Sequence, residues 1–234
     1  MNLSRAQRRY SIPFLALILS ALVGALLASG VTTPARADQV ASAQSHAHGK
    51  VVPRNAAQNA FHDQMRKLWE DHVTWTRLAI VTFAEGSPGF DATAVRLLQN
   101  QTDIGDAIKP FYGVAAGKQL TALLSDHITI AVEVLQAAKA GDTAAFSAAN
   151  TRWYANGNDI ADFLAAANPR SWPRAVMRAD MRTHLDATLA QAAHELHGEY
   201  AASVTDYEGI HSHILMMADQ LSTGVMTQFP SRFR

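Results

Sequence analysis

The sequence predicts an all-α fold, a single-domain antiparallel helical bundle of about five long helices. Three observations carry the prediction. Apolar residues recur at spacings of three and four almost throughout, the alternation of a half-buried strand is missing, and clusters of glycine and proline punctuate the chain at intervals that suit long helices.

Taken in order, residues 1–37 read as a secretory signal peptide rather than as part of the fold. Arg5, Arg8 and Arg9 form a basic start, Ile12 to Ala28 is almost wholly apolar, and Ala35-Arg36-Ala37 supplies the small-x-small cleavage pattern. Cleavage after Ala37 leaves Asp38 as the first residue of an exported protein, periplasmic or extracellular, with no stable membrane span. The alternative is an uncleaved anchor, but Pro13, Ser20 and Gly24 interrupt a stretch barely long enough to cross a bilayer. Arg8-Arg9 resembles a twin-arginine signal, although Tyr10-Ser11 follows it. Residues 38–59 are rich in Ala, Ser, Gln and His and read as a flexible leader, with His46 and His48 on a solvated linker.

The bundle is expected over residues 60–229, with 230–234 as a tail. A first helix should run from about Ala60 to Ala84, ended by Gly86-Ser87-Pro88-Gly89. A second, shorter one opens with Asp91 as N-cap and breaks before Pro110. The third spans about Val114 to Lys139 and stops at Gly141. Asp142 caps a fourth that reaches Ala167, where Asn168-Pro169-Arg170-Ser171-Trp172-Pro173 forbids continuation. The fifth covers about Arg174 to Leu196, with Gly198 as its stop, and the sixth about Ser203 to Met226. Short connections between long helices dictate antiparallel neighbours.

Composition removes several function classes. There is no cysteine, so disulfides, thiolate metal sites, cysteine nucleophiles and a lipoprotein anchor are excluded. Without the signal, which holds four of the 20 basic residues and none of the 20 acidic ones, the charge is 16 − 20 = −4 with histidine neutral. Such a surface does not invite nucleic acid.

The inward stripes carry the chemistry. The first helix gives Phe61, Met65, Leu68, His72, Trp75 and Ala79; the third gives Leu120, Leu123, His127, Ile130 and Val134. The fifth gives Met177, Met181, His184, Thr188 and Ala192, and the sixth Val204, Tyr207, His211, Ile214, Ala218, Leu221 and Val225. Four helices thus each place one histidine inward, at similar depth. Burying imidazoles together is costly unless each nitrogen finds a partner, through hydrogen bonds to groups such as Tyr207 or Thr188, or jointly through a metal ion.

The leading expectation is therefore an exported bundle that binds one transition-metal ion (Zn, Cu or Fe) through His72, His127, His184 and His211. Glu208, three residues before His211, is the better inward carboxylate. Asp71 and Asp126 directly precede their histidines and point about 100° away, towards the surface or a supporting role. Two alternatives stand beside this reading: a structural or partner-binding bundle without metal, and a metal-dependent hydrolytic enzyme using a metal-bound water. No catalytic residue and no protein partner is assigned.

Other motifs fail. Glu208-Gly209-Ile210-His211 is a single Glu-x-x-His, which disfavours a carboxylate-bridged dinuclear site, and His-Glu-x-x-His is absent. Haem between two histidines stays open, without a covalent attachment motif. Gly113 to Gln119 looks like a phosphate loop, but it is one residue short, lacks the Ser/Thr and follows Pro110-Phe111-Tyr112 rather than a strand; no nucleotide site is expected. Met65, Met177, Met181, Met216 and Met217 read as core filler rather than Cu(I) ligands.

Leu68-Trp69-Glu70-Asp71-His72-Val73-Thr74-Trp75-Thr76-Arg77, Lys109-Pro110-Phe111-Tyr112-Gly113, Trp153-Tyr154-Ala155-Asn156 with Asp159-Ile160-Ala161, and Gln228-Phe229-Pro230 resemble a family of uncharacterised helical bacterial proteins. The resemblance extends over nearly the whole chain after the signal. It implies histidines in relatives at the positions of His72, His127 and His184, with glutamate in some where His211 stands, which looks like exchange of one ligand for another. Some members bear names such as acetylglutamate kinase or glycosyltransferase, and this sequence holds no nucleotide, sugar-nucleotide or phosphate site to match them.

Overall fold

A computed structural model describes residues 55–234. The expected signal peptide, most of the expected leader, and His46 and His48 lie outside the described residues. Six α-helices follow one another: α1 (Ala56–Ala84), α2 (Phe90–Tyr112), α3 (Val114–Ala140), α4 (Thr143–Ala167), α5 (Arg174–Leu196) and α6 (Tyr200–Gln228), then a 3-10 turn (Pro230–Phe233). No strand occurs among the described residues. The expected second helical region is a full member of the bundle, which makes six long helices among the described residues rather than five.

Local chemistry explains most of the boundaries. Asn55 starts α1 in a capping box: its side chain accepts from the Gln58 N–H, and the Gln58 side chain accepts from the Asn55 N–H. The helix therefore begins ahead of Ala60, inside the expected leader. Asp142 caps α4 through the Ala145 N–H, as expected. Asp91 does not cap α2. Gly89 holds that position without a side-chain bond, and Asp91 sits in the first turn, where its charge still favours the helix dipole. The break expected before Pro110 comes later because the ladder closes beyond the proline: the Gly113 N–H donates to the Lys109 carbonyl at 2.9 Å. Gly113 alone then joins α2 to α3 at φ 87°, a conformation a side chain would strain.

Cross-helix pairs give the register. Thr82 meets Thr93 between α1 and α2, Glu133 meets Arg152 between α3 and α4, and Asp162 meets Arg178 between α4 and α5. His194 meets Asp206 between α5 and α6, while His62 and Arg66 meet Asp219 between α1 and α6. Each helix runs antiparallel to its neighbours, and α6 closes a ring onto α1. In this up-and-down ring α1, α3 and α5 point one way and α2, α4 and α6 the other.

The core runs along the ring's axis and ends in an aromatic plug. Phe111 lies 5.0 Å from Phe61 and 5.4 Å from Phe233 by ring centroids, and Tyr112 lies 5.2 Å from Phe229. The expected tail is thus part of the packing: Phe233 is buried, and its carbonyl accepts from Asn55 Nδ2. Helices α2 and α3 approach so closely that a Cβ on Gly105 would stand 2.0 Å from Thr121 Oγ1 and 2.6 Å from the Gly117 carbonyl. Gly105→Ala is therefore expected to lower stability in urea unfolding by about 1–3 kcal/mol, despite alanine's better helix propensity. An alanine variant as stable as the parent would show that the helices separate freely.

Candidate metal centre

Helices α1, α3 and α5 each bring one histidine to the middle of the ring. His72, His127 and His184 are each 4% exposed, and all three line one cavity of about 60 Å³ whose remaining wall is mainly apolar, including Ile80, Leu97, Val134 and Trp153. The ring centroids of His72 and His184 lie 5.8 Å apart, and His127 stacks on Trp153 at 5.2 Å. Three of the four histidine directions read from the stripes therefore converge.

The even-numbered helices supply the hydrogen bonds. From α4, Asn156 places Oδ1 2.8 Å from His127 Nδ1 and donates Nδ2 to the Leu123 carbonyl at 3.0 Å. From α2, Gln101 donates Nε2 to the Leu97 carbonyl at 2.7 Å and reaches His72 Nδ1 at 3.4 Å. From α6, His213 turns to the Asp180 carbonyl instead, and His184 Nδ1 is buried with no hydrogen-bond partner. Gln101 Oε1, Gln191 Nε2, Trp69 Nε1 and Trp153 Nε1 are also buried and unpaired. The partners weighed from sequence take other roles: Thr188 bonds the His184 backbone carbonyl, and Tyr207 meets Thr74 and Arg77.

Burial sets the charge state. It drives His72 down to about 3, helped by His127, and His127 down to about 4 against the Asn156 hydrogen bond, which raises it. His184 falls well below its ordinary 6.5 through burial first and then the nearby His72, His127 and His213. All three are neutral imidazoles at pH 7, the form that donates a lone pair to a metal.

The fourth predicted ligand lies elsewhere. His211 is not part of the cavity wall; its Nε2 sits 3.0 Å from Glu70 Oε1, with 32% of its side chain exposed. The inner face of α6 is taken by Ser203, Ile210, Ile214 and Met217 rather than by Val204, Tyr207 and His211. Packing the larger apolar Ile210 inward turns the adjacent position, His211, towards α1. Glu208 is exposed, so the carboxylate expected to face inward faces solvent. Asp126 is exposed, and Asp71 pairs with Lys67 and Arg96, as surface groups.

Among the described residues, no group of three or more His, Asp or Glu side chains is arranged to hold a metal ion. Asn156 and Gln101 were missed from sequence. The Trp153-Tyr154-Ala155-Asn156 run held the signal, because its first and last residues are three apart on one helical face and both contact His127. Compared with known proteins, the chain matches no family model, no curated protein and no solved structure.

Proposed function

We propose that the bundle binds one transition-metal ion, Zn, Cu or Fe, through His72, His127 and His184. One observation carries the reading: three neutral, buried imidazoles from three different helices line a single cavity, and one of them keeps a buried nitrogen without any partner. An orphaned polar atom in an apolar core costs about 1–3 kcal/mol, a penalty that a ligated ion removes. An ion bonded to two imidazoles at about 2.0–2.1 Å separates their ring centroids by roughly 5–6 Å, and the His72–His184 pair stands at 5.8 Å. The donor set is all nitrogen, which suits these metals better than Mg or Ca.

Binding requires the rings to turn further into the cavity, since the present rotamers do not gather three donors. The cavity of about 60 Å³ leaves room for that movement, for an ion and for a solvent ligand. A fourth ligand from solvent would complete the tetrahedron, but the described residues offer no carboxylate in the wall to act as a base, so a binding role is favoured over hydrolysis. Zinc at one hundred times its dissociation constant should stabilise the wild type by about 2.7 kcal/mol, read as a rise in thermal midpoint. The His127→Ala variant should show no rise. A wild type that none of the three metals stabilises would leave the structural, metal-free bundle as the reading.

A further inference from the structure

We infer that Asn156 is a positioning residue that holds His127 as the Nδ1–H tautomer, so that its remaining nitrogen, Nε2, keeps a free lone pair. As a statement about metal binding this rests on the proposed function, but the tautomer itself does not.

Asn156 can face His127 in only one sense. Its Nδ2 donates to the Leu123 carbonyl at 3.0 Å, which fixes the amide and presents Oδ1, an acceptor without a proton, to His127 Nδ1 at 2.8 Å. His127 Nδ1 must therefore carry the hydrogen. No hydrogen bond among the described residues reaches His127 Nε2. The ring plane is fixed from the same helix, because Trp153 stacks on it with an interplanar angle of 24°. Two residues of α4, three positions apart, thus set both the plane and the proton of an imidazole on α3. Metal-binding histidines are oriented in this way by an acceptor on the nitrogen that does not bind.

The corresponding group on α2 sets no tautomer in this way. Gln101 Nε2 donates to the Leu97 carbonyl at 2.7 Å, and its second hydrogen is divided between Asn100 Oδ1 at 3.3 Å and His72 Nδ1 at 3.4 Å, so it presents no acceptor that would fix a hydrogen on His72 Nδ1. His127 is therefore the imidazole whose tautomer a neighbouring side chain sets. Asn156 is thereby distinguished from a residue that only fills the core.

Nitrogen-15 spectra of the histidine rings in the full-length, metal-free protein test the inference, followed by zinc titration of the same samples. The wild type should show His127 as Nδ1–H. Asn156→Leu, which removes the acceptor, should give mixed tautomers and weaken zinc binding about 10–100-fold. Asn156→Asp retains an acceptor at the same place and should retain the Nδ1–H form, which keeps the test open if the leucine variant does not fold. An Nε2–H tautomer in the wild type, or a folded Asn156→Leu protein with unchanged spectra, would overturn the inference. A locked tautomer that Asn156→Leu releases, in a protein that binds no zinc, supports the role of Asn156 on His127 and overturns the proposed function alone.

Discussion

Below pH 6.5 the bundle is expected to lose stability steeply and to unfold near pH 4–5. In the unfolded chain each of His72, His127 and His184 takes up a proton near its ordinary 6.5, while burial in the fold postpones protonation to about 3 for His72, about 4 for His127 and far below 6.5 for His184. Between those limits the unfolded state binds more protons than the folded state, so stability falls as pH falls, and above 6.5 it is unaffected by these groups. Each imidazole contributes about 1.4 kcal/mol per pH unit, up to about 4 kcal/mol per unit for the three together. Two units remove about 8 kcal/mol, which exhausts the margin of a domain in the lower half of the usual range of about 5–15 kcal/mol.

The cavity wall carries no carboxylate that would hold a proton on the rings, and the nearby His213 makes an added charge on His184 less favourable still. Glu133 and Asp162, kept below the usual carboxylate range by hydrogen bonds from Arg152 and Arg178, act in the same direction at lower pH. Urea unfolding at a series of pH values from about 7.5 to about 4.5 measures the slope. His127→Gln should reduce it by one proton's share. A flat profile between about pH 7 and 5 would mean that the histidines are not held neutral.

Replacing His184 by leucine is expected to stabilise the metal-free protein by about 1–3 kcal/mol, because it removes a buried nitrogen that has no partner and adds apolar surface to an apolar wall. His127→Leu should do the reverse. It leaves Asn156 Oδ1 without its donor and exchanges one satisfied group for an orphan, with a loss of about 1–3 kcal/mol. Both variants should lose metal binding. Thermal unfolding of the two metal-free proteins reads the contrast directly. If His184→Leu is destabilising, the imidazole has a partner in solution and its nitrogen is not orphaned.

The bundle and three of the four histidines expected to face inward were legible in the sequence because His72 and His127 lie on regular apolar stripes and His184 on a less regular but usable face. His72 follows Met65 and precedes Ala79, and His184 follows Met181 and precedes Thr188, all of them buried. His211 misled because the N-terminal half of α6 offers two overlapping faces. Val204–Tyr207–His211 and Ser203–Ile210–Ile214 are both helically spaced, and only the packing against α5 and α1 selects the second. That same choice leaves Glu208 in solvent. The second helix was underestimated because Pro110 reads as a stop, whereas so near the helix end it removes little of the ladder. Which helices are neighbours is a property of the closed ring, set by α6 returning to α1 through pairs such as His62–Asp219 and Thr74–Tyr207. No periodicity encodes it. Asn156 and Gln101 went unread as parts of the centre because their roles depend on such cross-helix pairing.

Elemental analysis after equilibrium dialysis of the purified protein against zinc, copper or iron decides whether the three histidines hold an ion, with a His72, His127 and His184 triple alanine variant dialysed beside it. One ion per wild-type chain, and none on the folded variant, is the predicted result. No ion on the wild type, or an ion kept by the triple variant, would rule out the histidine site and leave the three histidines as core residues of a bundle with another purpose.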